Sequence, residues 1–167
     1  MLTFENLILK QGDFALRGDL SISLGKITAL MGPSGAGKST FLAAIAGFFA
    51  LESGRIDVDG LHIEGLAPAK RPVSILFQDN NLFPHLTVSQ NVGLGLRPVV
   101  KLSAREQQKV AKVLADVGLS GLGDRKPSAL SGGQQSRAAL ARVLIAARPI
   151  VLLDEPFAAL GPGLKDE

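Results

Sequence analysis

The run Gly32-Pro-Ser-Gly-Ala-Gly37-Lys38-Ser39 constrains this chain more than any other feature. It matches G-x-x-x-x-G-K-S, and it lies between a short apolar run, Lys26 to Met31, and a stretch of helical character, residues 38 to 46. An apolar strand, a glycine-rich turn and a helix start form the context in which such a loop binds phosphate. The glycines let the backbone fold tightly so that its N–H groups converge on an anion. The helix adds its positive end. Lys38 is then expected to reach the β- and γ-phosphates of a nucleotide, and the Ser39 hydroxyl to bind Mg2+. The expected nucleotide cradle is Gly32, Pro33, Ser34, Gly35, Ala36, Gly37, Lys38, Ser39 and Thr40, with Thr40 in reach of the α-phosphate. A glycine-rich turn without a ligand would need neither the lysine nor the serine.

The remaining pattern is α/β. Leu2 to Leu9 and Phe14 to Leu24 read as strands. Lys26 to Met31 reads as a buried strand. Gly47 is a helix stop after residue 46. Gly54 to Gly60 is a strand running into an Asp-Gly turn, and Pro72 to Phe77 is a second buried strand. Ser103-Ala-Arg-Glu106 is a capping box that opens a helix, with Val110, Val113, Leu114 and Val117 on one face and Gly118 as its stop. Residues 134 to 147 are helical in composition, and Ile150 to Leu153 returns to a strand. One domain over 1–167 is expected, with a helical insertion over about 84–147.

Composition narrows the partners. A net charge of +3 with scattered basic residues gives no case for nucleic acid. The absence of cysteine excludes disulfides and thiolate metal sites. The most apolar stretch, Val143 to Leu153, is broken by Arg148 and Pro149, so a link to a membrane must run through another protein. Glu5 lies inside what would be the apolar part of a signal peptide, so export is not expected.

Two more motifs carry chemistry. Ile150-Val-Leu-Leu-Asp154-Glu155 delivers two carboxylates to the carboxyl end of a strand, where ligands bind in open α/β sheets. Asp154 is expected to hold Mg2+ through water, and Glu155 to orient or deprotonate an attacking water. Ser131-Gly132-Gly133-Gln134 has capping-box spacing, so a helix starts there. Its two glycines leave room for another molecule at an anion-binding helix end.

Read as Leu130-Ser-Gly-Gly-Gln134, this last run resembles the signature of ABC ATPases. The resemblance covers essentially the whole chain. It implies a P-loop NTPase of ABC type, with a RecA-like core, an N-terminal antiparallel β region and an inserted helical subdomain. It implies that two ATP molecules are sandwiched in a head-to-tail homodimer, Ser131, Gly132, Gly133 and Gln134 of one subunit meeting the γ-phosphate held by the other. Gln78 resembles the family's Q-loop glutamine, which touches Mg2+ or the lytic water. Residues 79–88 resemble the groove that receives a membrane permease, through which a periplasmic binding protein is engaged. Among importers the runs 70–74, 75–96 and 154–160 are most similar to thiamine-importer ATP-binding subunits. This implies an ATP-hydrolysing subunit for thiamine or a related small solute, peripheral on the cytoplasmic face of the inner membrane. A soluble ABC ATPase acting on DNA or in translation would usually carry a coiled-coil insertion or a second domain, and neither is seen.

Three departures accompany the resemblance. The family's adenine-stacking aromatic has Phe14 as its nearest counterpart, since the chain has no Tyr or Trp. The family's Ser-Ala-Leu-Asp loop reads Ala158-Ala-Leu-Gly161. Twelve residues follow Glu155, and neither His62 nor His85 occupies the context of the switch histidine. The expectation is a chain lacking C-terminal strands and poorly stable alone. The competing expectation is a truncated nucleotide-binding module without productive hydrolysis.

Overall fold

A computed structural model describes residues 1–12 and 14–156. The chain divides into two compact units, Met1–Val73 and Ser74 onward.

The first unit is built on a four-stranded sheet of order β2-β1-β3-β4, with β1 Leu2–Gln11, β2 Phe14–Ile22, β3 Ser53–Val58 and β4 Leu61–His62. Every pairing is antiparallel. The apolar pattern of β1 slips by one residue, from Leu2 and Phe4 to Leu7 and Leu9, yet all four are buried. The slip is a β-bulge. Phe4 pairs with Leu20 and Leu7 with Gly18, so β1 carries one extra residue, and the register against β3 shifts at the same place. Asn6 absorbs it in a left-handed conformation, φ 49°. Gly54 must be glycine opposite the bulge, because a Cβ there would lie 2.4 Å from the Asn6 carbonyl oxygen. Asp59 and Gly60 both have positive φ, which gives the tight hairpin turn between β3 and β4.

Helix α1, Lys38–Ala46, buries Phe41, Ala44, Ile45 and Ala46. The Phe41 ring packs on Phe4 of β1 with centroids 5.0 Å apart. Gly47 ends the helix at φ 89°.

Lys26 to Met31 differs from expectation. It is not a strand, and its side chains are exposed: Ile27 fully, Met31 at 88% and Leu30 at 47%. A strand exists only when a neighbour supplies its hydrogen-bond ladder, and no described residue does so here. Exposed apolar side chains on unpaired backbone favour association. The double substitution Ile27→Asn with Met31→Asn is therefore expected to lower self-association of the 167-residue chain. Sedimentation velocity over a concentration series reads this directly, and an unchanged distribution would contradict it.

Among the described residues the second unit contains three α-helices and a two-stranded sheet. The helices are α2 Val88–Gly93, α3 Ala104–Asp116 and α4 Gly132–Ile145; the strands are β5 Val73–Leu76 and β6 Ile150–Leu153. Its core joins Val88 and Val92 of α2, Val110 and Leu114 of α3, Ala138 and Ala141 of α4, with Leu119 and Leu130 from the connections. Fully burying each Val or Leu contributes about 1.5–3 kcal/mol, so these side chains supply most of what holds the helices together. Val113 and Val117 pack at the rim of this core. Leu76, Ala139 and Val143 form a smaller cluster.

All three helices open with a complete capping box: Thr87 with Gln90, Ser103 with Glu106, and Ser131 with Gln134. At α3 the Arg97 guanidinium, bonded to Glu106, and the Ser103 backbone N–H hold that carboxyl down at about 2. Among the described residues no helix is long and apolar enough to cross a membrane.

Candidate functional site

In the first unit the phosphate loop leads directly into α1. Gly35 and Gly37 take left-handed conformations, φ 78° and 85°. A turn bond from Ala36 N to Pro33 O, 3.3 Å, closes the loop. Gly37 is the N-cap of α1 and has no side chain to cap it, and no acidic residue lies in the first turn. The positive end of the helix is thus not offset by any acid of its own first turn. The Lys38 ammonium donates to the carbonyls of Gly32 and Pro33, both at 2.9 Å. This curls the cation back over the loop, against the peptide groups that would surround a phosphate. Ser39 and Thr40 follow within the first helical turn.

The Phe14 ring lies against this loop. A Cβ on Gly37 would sit 2.2 Å from its Cζ. A side chain at Gly37 would be strained by its φ of 85° and would push the Phe14 ring tip off the loop.

In the second unit Gln78 is exposed, two residues beyond the end of β5. The Asp154 N–H donates to the carbonyl of Leu76 at 2.9 Å, so the β6 carboxylates and Gln78 follow neighbouring strand ends. Asp154 is 8% exposed. Glu155 is exposed and left-handed, φ 47°. A Glu in that region carries backbone strain of about 1–2 kcal/mol.

The chain after Gln78 is gripped from α4. Asn80 and Asn81 both have positive φ, a conformation in which Asn is enriched. The Arg142 guanidinium donates to the carbonyls of Asn81 at 2.8 Å and Asn80 at 2.9 Å. Burial pulls this guanidinium below its ordinary value. Asn80 Nδ2 donates to Ser136 Oγ at 3.1 Å, and Ser136 Oγ donates to the Gly132 carbonyl at 3.2 Å. A chain of bonds thus runs from the residues after Gln78 to the first residue of α4.

Ser131 caps α4. Its N–H donates to Gln134 Oε1 at 2.9 Å, and its hydroxyl accepts from the Gln134 N–H at 3.3 Å. Gly132 and Gly133 have no positive φ, and a Cβ on either would meet no described atom within 4 Å. The chain's own fold does not require glycine at these positions.

Sequence reasoning missed three polar side chains. Besides Arg142 and Arg71 (described below), Asn91 is fully buried in α2. Its Oδ1 accepts from Phe83 N at 2.7 Å, and its Nδ2 donates to the carbonyls of Phe83, Leu86 and Thr87 at 3.0, 3.3 and 3.0 Å. It shapes the loop over residues 83–87. Asn91→Ala strands several buried backbone groups and is expected to destabilise the chain by about 2–3 kcal/mol. A thermal midpoint unchanged within error would contradict this. Helix α2 itself was also missed, although Thr87-Val-Ser-Gln90 has capping-box spacing.

The family profile described as "ABC transporter" matches residues 17–158. Among curated relatives, the "Thiamine import ATP-binding protein ThiQ" of Cereibacter sphaeroides is 57% identical over 167 residues, covering 100% of this chain and 72% of that protein. The protein of the same name from Ruegeria sp. (strain TM1040) is 58% identical with the same coverage. Among solved structures, a post-hydrolysis dimer of the ATP-binding cassette MJ0796 bound to ADP and Pi superposes with a TM-score of 0.83 at 30% identity, covering 98% of this chain and 77% of that one. The ATP-binding cassette MJ1267 gives 0.85 at 29% identity, covering 97% and 71%. The phosphate loop, the Asp-Glu strand end and the glycine-opened α4 thus occur in a chain that belongs to the ABC transporter family, as one of its ATP-binding, ATP-hydrolysing members.

Proposed function

We propose that this chain is the energy-supplying subunit of an importer for thiamine or a closely related small solute. Hydrolysis of ATP to ADP and phosphate would occur by in-line attack of water. The observation that carries this is the start of α4. A capped helix N-terminus with two glycines its own fold does not need has room for a second molecule's phosphates. The solute is taken from the names of the relatives.

In this reading the backbone of residues 32–37 cradles the phosphates, Lys38 holds the β- and γ-phosphates, and Thr40 contacts the α-phosphate. Ser39, Gln78 and Asp154 hold Mg2+. Asp154 would supply one carboxylate, with neutral oxygens from Ser39 and Gln78, a hard-oxygen set of the kind that binds Mg2+ together with substrate phosphates. When bound there, Mg2+ would supply charge neutralisation for the transferring phosphoryl group. Glu155 orients or deprotonates the water, Gln78 helps place it, and Phe14 offers the aromatic surface for adenine. Ser131, Gly132, Gly133 and Gln134 act on the nucleotide of a second subunit in a head-to-tail homodimer. One ABC ATPase domain spans 1–167, with a helical insertion over about 84–147. Through that region it engages a membrane permease and, beyond it, a periplasmic binding protein, from the cytoplasmic face of the inner membrane.

The test is uptake of labelled thiamine by cells lacking this chain. Restoration by the wild-type sequence and not by Lys38→Ala is the expected result. Unimpaired uptake without the chain would remove the solute assignment.

A further inference from the structure

We propose that Arg71 is a positioning residue for the phosphate loop, pinning the C-terminal end of α1 so that the first turn of that helix presents Lys38, Ser39 and Thr40 at a fixed place. This rests on the reading of Lys38 as a phosphate ligand.

Arg71 is 3% exposed, in the chain just before β5. Among the described residues no carboxylate oxygen is bonded to it. It donates to backbone carbonyls: Nη1 to Ala44 at 2.7 Å and Ile45 at 3.0 Å, Nε to Leu66 at 2.9 Å, and Nη2 to Glu64 at 2.8 Å. Four of the five N–H groups of the guanidinium are used.

Ala44 and Ile45 lie in the last turn of α1, where carbonyls lack intrahelical partners. Gly47 and Phe48 N–H groups serve Ala44 and Ala43. Arg71 supplies a bond to Ile45 and a second to Ala44. Through its other two bonds it ties this helix end to residues 64–66. A buried cation also offsets the negative end of the helix, opposite the end that faces phosphate. Burial lowers the guanidinium's pKa, with the charge of Glu64 acting the other way.

Gly47 is matched to this contact. A Cβ there would lie 2.6 Å from the Arg71 Nε and 2.9 Å from Cζ, so only glycine admits the guanidinium at the helix end.

The lever is short and stiff. Nine residues of helix span about 13–14 Å, so a tilt of only about 5° about the pinned end moves the other end by about 1 Å. A displacement of that size at a reacting group can cost about 10²-fold in rate. A lysine at 71 would keep the charge but not the planar fork that reaches both the helix end and residues 64–66.

The experiment uses the 167-residue chain and its Arg71→Ala, Arg71→Lys and Lys38→Ala variants. MgATP affinity and thermal midpoint are measured for each, with and without millimolar guanidinium, against methylammonium at equal ionic strength. Arg71→Ala and Arg71→Lys are expected to bind MgATP at least about tenfold more weakly. Guanidinium, and not methylammonium, should restore affinity in Arg71→Ala, a rescue that a generally loosened fold would not show. Should Arg71→Ala fail to fold, Arg71→Lys decides: weakened MgATP affinity in a folded protein supports the role. Wild-type affinity in either folded variant overturns it, as does equal recovery with methylammonium. Unaltered affinity in Lys38→Ala would show instead that the phosphate reading beneath it has failed.

Discussion

Glu155→Gln is expected to lower steady-state phosphate release from MgATP by about 10²- to 10⁴-fold, the range that a positioned general base contributes. MgATP affinity should stay within a factor of about two, because the change removes an interaction made only in the transition state. Stability should not change, for a physical reason visible at the residue. Glu155 is exposed, and Glu and Gln meet the same backbone demand at φ 47°. A parallel Glu155→Gly variant separates strain from chemistry. Glycine tolerates the left-handed conformation, so this variant should be more stable by about 1 kcal/mol while releasing phosphate as slowly as the glutamine variant. Full turnover in Glu155→Gln would remove the residue from the reaction.

Gly133→Asp is expected to act on function and stability in opposite directions. Position 133 is the second residue of α4, and a Cβ there meets no described atom within 4 Å. Replacing an unneeded helical glycine with aspartate is worth only about 0.1–0.3 kcal/mol in propensity. An acid in the first turn also favours the positive helix end by about 0.3–1 kcal/mol. The thermal midpoint should therefore hold or rise. Turnover should fall by at least about 10²-fold, since a carboxylate would occupy the helix end proposed to meet phosphate and repel it. Glutamate at the same place should behave alike. A drop in stability together with turnover would mean that the glycine serves this chain's own packing.

Legibility in the sequence follows from how local each feature is. Capping boxes at Ser103 and Ser131 were readable because cap and partner are three residues apart. The end of α1 at Gly47 and the Asp59-Gly60 turn were readable because positive φ selects residue type. The bulge at Asn6 was visible only as a break in alternation, and its cause, Gly54 on the neighbouring strand, is remote in sequence. Arg71, Asn91 and Arg142 were not legible. Each satisfies backbone carbonyls, which every residue carries, so no side-chain pattern marks the partner. The same holds for Lys26 to Met31. Its composition states a wish to be buried, but pairing depends on a neighbour that local sequence does not name. Ala158, Ala159, Leu160 and Gly161 lie outside the described residues.

The proposed role of the loop at Lys38 is to bind MgATP and support its hydrolysis. Its most direct test is an equilibrium titration with MgATP, followed by steady-state phosphate release, for the 167-residue chain beside Lys38→Ala. The Lys38 ammonium is tethered to the carbonyls of Gly32 and Pro33 in its own loop, both at 2.9 Å, so its removal should cost the fold little. The prediction is MgATP binding and phosphate release by the wild type, with both reduced at least about 10²-fold in the variant. Equal affinity and equal phosphate release in the two proteins would contradict the account.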